Sequence, residues 1–205
     1  MKKKDVVFIL DKSGSMRGLE QDTIGGFNSL LKKQKKENVA VRVSTILFDE
    51  CCSVLHDRIP IDFVKEMTRK DYCVGGCTAL LDAVGCTISH MEKDCSSEVL
   101  FVIITDGMEN SSCEYSYGQV KRLIEQHKEK DGWEFLFLGA NIDAAKEAGR
   151  FGIDEDSSVD YCCDQEGTEL NFKVLSNVVS DFACGVGLNK KEWKKEIEED
   201  YKRRG

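Results

Sequence analysis

Hydrophobic and polar positions alternate along this chain in blocks. Val6 to Leu10 and Val99 to Thr105 are continuous apolar runs with no internal polar alternation. Such runs predict strands buried on both faces of a parallel sheet. Trp133 to Leu138 reads the same way, and Ser157 to Tyr161 reads as a last, short strand. Val39 to Phe48 and Cys51 to Leu55, joined by Asp49-Glu50, predict a hairpin and so one antiparallel edge strand.

Between these runs the period changes to that of a helix. Leu19 to Lys36 places Ile24, Phe27, Leu30 and Leu31 on one face. Gly25 and Gly26 inside it each cost roughly 1 kcal/mol of helix stability against Ala, so both are expected to pack closely on the sheet. A helix opened by Thr78 carries Leu81, Val84, Ile88 and Met91. Ser116 and Gln119 have the spacing of a capping box before Val120, Leu123, Ile124 and His127. Asn141 is expected to cap a short helix, Ala144 to Gly149, and Thr168 to begin one carrying Phe172, Leu175, Val179 and Phe182. Strands alternating with helices predict an α/β fold: a doubly wound, mostly parallel sheet, one antiparallel edge strand, and helices on both faces.

Residues 1–185 are read as one domain, with 186–205 as a charged C-terminal extension separate from the core. Within it Lys190 to Arg203 predicts a surface helix striped by Trp193, Ile197 and Tyr201, which either docks on the domain or binds a partner. The net charge of −8 argues against nucleic acid and anionic membrane as partners. The apolar run after Lys2 to Lys4 stops at Asp11, too short for a signal peptide core, and a cytoplasmic location is expected. Ten cysteines follow no zinc spacing and are expected to be reduced thiols, with redox control through Cys73 and Cys77 as the alternative. Nothing in the pattern sets the oligomeric state.

The chemistry lies where the strands end. Asp11-Lys12-Ser13-Gly14-Ser15 closes the first strand with one carboxylate and two hydroxyls. Gly75-Gly76-Cys77-Thr78 presents another hydroxyl on a glycine-rich turn, and Asp106-Gly107 follows the Val99 to Thr105 run. Ligands of doubly wound sheets gather at the carboxyl ends of strands. Oxygen donors of this kind suit Mg²⁺ or Mn²⁺ rather than zinc.

The D-x-S-x-S…T…D pattern formed by Asp11, Ser13, Ser15, Thr78 and Asp106 resembles the metal-ion-dependent adhesion site (MIDAS) of von Willebrand factor type A domains. The resemblance covers roughly residues 4–183 and is nearest to stand-alone bacterial chains. It implies a Rossmann-like fold and a metal-dependent protein-binding module, not an enzyme, with a divalent cation that recruits a partner's Asp or Glu. It also implies that one aspartate binds through water and that Thr78 joins when ligand is bound.

The alternatives are a phosphatase-like metal-dependent hydrolase and a structural domain with a vestigial site. A haloacid-dehalogenase-like phosphatase needs an acid where Ser13 stands, and no general base is evident. The nucleophile elbow and P-loop spacings are absent around Gly14. His127, on an apolar helix face, is read as a packed ring. Glu109, Asn110 and Glu114 are read as solvated, with orienting a water or reading a partner as the alternative, and Lys12 and Arg17 as offsetting the negative charge of the loop, with an acidic partner as the alternative.

Overall fold

The computed structural model describes residues 3–94 and 97–204. Six strands form one sheet: β1 (Lys3–Asp11), β2 (Arg42–Phe48), β3 (Cys52–Pro60), β4 (Ser97–Thr105), β5 (Glu134–Gly139) and β6 (Ser158–Asp160). Their spatial order is β3-β2-β1-β4-β5-β6. Every pairing is parallel except β2 with β3, so the antiparallel edge strand is β3. The chain winds outward from β1 in both directions, which places the topological switch between β1 and β4. There the connecting loops leave to opposite sides and open a crevice at the carboxyl ends of the strands.

The continuous apolar runs are explained by two cores. Val6, Phe8 and Leu10 face one layer with α1 (Glu20–Lys36) and α5 (Gln165–Cys184). Val7 and Ile9 face the other with α2 (Leu80–Met91), α3 (Tyr117–Lys130) and α4 (Ala144–Arg150). With both faces covered, successive residues of a strand must all be apolar.

Gly26 is closely packed, but against α5 rather than the sheet: a β-carbon there would lie 2.3 Å from Phe172 Cδ2. Gly25 is not, since a β-carbon would meet nothing within 4 Å. The cap of α4 is Asp143, whose side chain accepts from the Lys146 amide, while Asn141 sits in the left-handed region at φ 55°. α5 begins at Gln165, ahead of Thr168, because Asp164 accepts from the Gly167 amide and caps the helix earlier. The Gln119 carboxamide oxygen takes both the amide and the hydroxyl of Ser116, at 2.9 and 2.7 Å.

The C-terminal extension, expected to stand apart from the core, is packed on it. Trp193 and Ile197 belong to the α1/α5 core, whereas Tyr201 is 38% exposed. The helix itself, α6, spans Lys195–Arg204. Trp193 Nε1 donates to the Asp156 carbonyl at 3.0 Å, and Lys194 Nζ to the carbonyls of Glu155 and Ser158. Buried apolar area together with satisfied donors decides in favour of docking.

All nine described cysteines are free thiols, six of them exposed, Cys73 and Cys77 included. Cys95 lies outside the described residues. Among the described residues no helix is long and apolar enough to cross a membrane.

Candidate functional site

Strand register brings the first two segments together. Leu10 pairs with Ile104, so Asp11 and Thr105–Asp106 leave adjacent parallel strands at the same level. Asp11 and Asp106 are 1% and 2% exposed. The loop after β1 then turns tightly back over the sheet edge. Asp11 Oδ1 accepts from the Ser13 amide at 2.7 Å, and a short 3₁₀ turn, Gly14–Met16, follows. Met16 points inward and is buried, while Ser15 is exposed.

The Thr78 segment is laced to this loop through its backbone. The Gly14 amide donates to the Gly76 carbonyl at 3.0 Å, and the Gly75 amide to the Lys12 carbonyl at 2.9 Å. A β-carbon on Gly14 would sit 3.3 Å from that Gly76 oxygen, so the crossing favours glycine. Gly76 has φ +73°, a conformation that side chains disfavour.

Four of the five predicted donors form one hydrogen-bonded row. Ser13 Oγ and Ser15 Oγ are 3.1 Å apart, and Ser15 Oγ donates to Asp106 Oδ1 at 2.6 Å. Asp11 joins the row through the Ser13 amide. Thr78 approaches from the other side: a β-carbon built on Gly107 would lie 3.4 Å from Thr78 Oγ1 and 3.5 Å from Ser15 Oγ. Thus all five predicted residues reach one crevice.

Sequence reasoning missed the residues that hold this row in place. Thr105, the last residue of β4, donates from Oγ1 to Asp11 Oδ2 at 2.5 Å and accepts from the Gly107 amide. The Tyr72 hydroxyl donates to the Asp11 carbonyl. Asn110, read as solvated, brackets Thr78: its Oδ1 accepts from the Thr78 amide at 2.8 Å, and its own amide donates to the Thr78 carbonyl. Glu109 accepts from the amides of Leu81, Ser111 and Ser112, so it fastens the loop to α2. Cys163 Sγ lies 3.8 Å from Asp106 Oδ2, opposite the oxygen that Ser15 uses. Threonines at strand ends and asparagines in loops are too common to be singled out from sequence alone.

Burial lifts both site carboxyls above the ordinary carboxylate range. For Asp11 the hydrogen bonds from Thr105 and Ser13 offset part of the effect; for Asp106 the bond from Ser15 does. Burial and the neighbouring Asp106 push the Cys163 thiol up to about 11, so it stays protonated near neutrality. Two desolvated carboxyls close to each other, with neutral hydroxyls and no cation among them, are what a divalent ion would relieve. The donor set is all oxygen, a chemistry that suits a hard divalent cation, and Asp11, Ser13, Ser15, Thr78 and Asp106 are the residues that would hold one. No cluster of three or more His, Cys, Asp and Glu side chains at metal-binding spacing occurs among the described residues.

The histidines are engaged elsewhere. His56 Nδ1 is 3.0 Å from Thr45 Oγ1, and His90 Nε2 is 3.0 Å from Asp57. His127 stacks on Trp133 at 4.0 Å and bonds to Asp131 and Glu92.

No family model and no curated protein matches the chain. Solved structures do. A von Willebrand factor type A protein from Catenulispora acidiphila aligns with a TM-score of 0.67 and 15% identity, over 87% of this chain and 43% of that one. The pilus adhesin SpaC from Lactobacillus rhamnosus GG, in its open conformation, gives 0.71 and 12%, over 89% and 30%. Proximal thread matrix protein 1 from the mussel byssus, with a zinc-occupied MIDAS motif, gives 0.63 and 14%, over 89% and 46%. The chain spans less than half the length of each of these three. At such identities the likeness is one of chain path.

Proposed function

We propose that this chain, which has the von Willebrand factor type A fold, is a metal-dependent protein-binding module. Asp11, Ser13, Ser15, Thr78 and Asp106 hold Mg²⁺ or Mn²⁺, and a carboxylate from a partner protein completes the coordination. The observation that carries this reading is the hydrogen-bonded row from Asp11 through Ser13 and Ser15 to Asp106, with Thr78 beside it. Five side chains from three segments meet where a doubly wound sheet opens.

Two aspartates balance a divalent charge only formally, and neutral hydroxyls add nothing to it. The ion stays electron-poor on its open side and accepts an external carboxylate in place of water. Two further observations support a binding role. The solved structures of similar fold include a pilus adhesin and a byssal matrix protein with an occupied MIDAS. The three histidines and Glu109 are also bound to other groups, which leaves a metal-activated water without an evident base. We place the protein in the cytoplasm, on the strength of its free thiols.

Calorimetric titration with Mg²⁺ and Mn²⁺ tests the site. The wild type should bind one ion, and Asp11→Ala should bind none while keeping its circular dichroism spectrum. Equal binding by both proteins overturns the assignment. A phosphate-ester screen in Mn²⁺ tests the hydrolase alternative, which turnover abolished by Asp11→Asn would restore.

A further inference from the structure

We infer that Arg17 is the second half of the partner contact. The metal takes one oxygen of the incoming carboxylate, and the Arg17 guanidinium takes the other. This deepens the reading above and rests on it.

Two cations flank the metal loop, and the structure treats them differently. Lys12 Nζ is ion-paired with Asp49, and both are largely shielded. Burial is the largest influence on the Asp49 carboxyl and raises it, but the Lys12 hydrogen bond and charge, together with backbone bonds from Cys51 and Glu50, outweigh burial and hold Asp49 below its ordinary range. The Lys12 charge is thus consumed inside the site. Arg17 is exposed, and among the described residues its side chain makes no ion pair or hydrogen bond. The nearest acid along the chain, Glu20, turns its Oε2 to the Gly18 amide at 2.8 Å.

Arg17 is exposed and follows Ser15 by two positions, just past the 3₁₀ turn. Met16 is 3% exposed and anchors the 3₁₀ turn in the core. Its neighbours on either side, Ser15 and Arg17, therefore both face out. Ser15 is the residue that reaches Asp106. At most about 7 Å of chain separates Arg17 from Ser15, a span that a long, exposed arginine side chain can bridge.

Charge decides what docks. With a divalent ion in place, Asp11 and Asp106 cancel it, and Asp49 cancels Lys12. Glu50 also borders the Thr78 turn, where its Oε1 accepts from the Cys77 amide at 3.3 Å. Of the two cations beside the loop, Arg17 is therefore the one with no acid of its own among the described residues, and a carboxylate supplies that partner. Arginine also suits the task by shape, because its planar fork matches the two oxygens of a carboxylate.

The test uses a short fluorescent peptide with one Asp, together with its Asn and phosphoserine analogues, in Mg²⁺ and in chelator. The wild type should capture only the Asp peptide, and only with metal. Arg17→Gln should weaken capture by about 5-fold, the worth of an exposed charge pair. Arg17→Lys should fall between them. The Mg²⁺ affinity of Arg17→Gln without peptide should be equal or tighter, since removing a nearby cation cannot repel another.

Equal capture by wild type and Arg17→Gln sinks this inference and leaves the metal-dependent module standing. Weaker Mg²⁺ binding by Arg17→Gln makes Arg17 a structural residue and overturns it too. Preference for the phosphoserine peptide overturns the carboxylate assignment. No metal-dependent capture by the wild type overturns the module and this inference together.

Discussion

Ser15 Oγ donates to Asp106 Oδ1 at 2.6 Å, across 91 positions of sequence. This bond ties the loop after β1 to the loop after β4 and closes the row of donors. It also leaves Asp106 buried, with its other oxygen against a protonated thiol. A desolvated carboxylate held so costs the fold, and a bound cation would relieve that cost.

Asp106→Asn should therefore separate stability from binding. Burial raises the folded pKa of Asp106 and Asp11 above the ordinary 3.8. Between that value and the raised one, the folded state binds more protons than the unfolded state. Stability of the metal-free protein then falls as pH rises through this window, and metal affinity rises. In chelator, Asp106→Asn should melt no lower than wild type. In Mg²⁺ only the wild type should gain in Tm.

Thr105→Val should damage the site from behind. Thr105 is fully buried, and its hydroxyl serves Asp11 and the Gly107 amide. Losing that donor and acceptor should cost about 1–3 kcal/mol in chemical denaturation. Because Asp11 loses its orientation, Mg²⁺ affinity should fall by about 10-fold in calorimetry. Unchanged affinity would show that the Ser13 amide alone orients Asp11.

The adjacent glycines of α1 should respond in opposite directions. Gly26→Ala drives a methyl group to 2.3 Å from the Phe172 ring and should cost about 1–3 kcal/mol. Gly25→Ala meets open space and should stabilise the helix by up to about 1 kcal/mol. Thermal melts of the two single variants check both signs.

The docked helix offers a pH test. Hydrogen bonds from Arg204 lead the causes that lower the Asp200 pKa from its ordinary 3.8. A depressed carboxylate stabilises above the unfolded pKa and stops doing so as pH falls through the folded one. Asp200→Asn should therefore lower Tm at neutral pH, with the gap to wild type closing below about pH 4. Truncation after residue 188 should lower Tm further, since it removes Trp193 and Ile197 from the core.

Patterning alone determined the order and type of the major elements. Runs such as Val6 to Leu10 can satisfy two apolar layers only inside a covered parallel sheet, and that is local information. The donor motif was legible for the same reason: each piece follows an element whose end the pattern marks. Tertiary structure decided what the pattern could not address. Gly25 and Gly26 are alike in sequence, and only Phe172, from a helix far along the chain, tells them apart. Trp193 and Ile197 form a stripe that fits either a partner or the body, and the exposed surface beside β6 made the choice. Lys12 and Arg17 carry the same charge on the same loop. Asp49, placed by the β2–β3 hairpin, pairs with one and leaves the other to solvent. Long-range pairing of this kind has no period, so it appears only when the chain is folded.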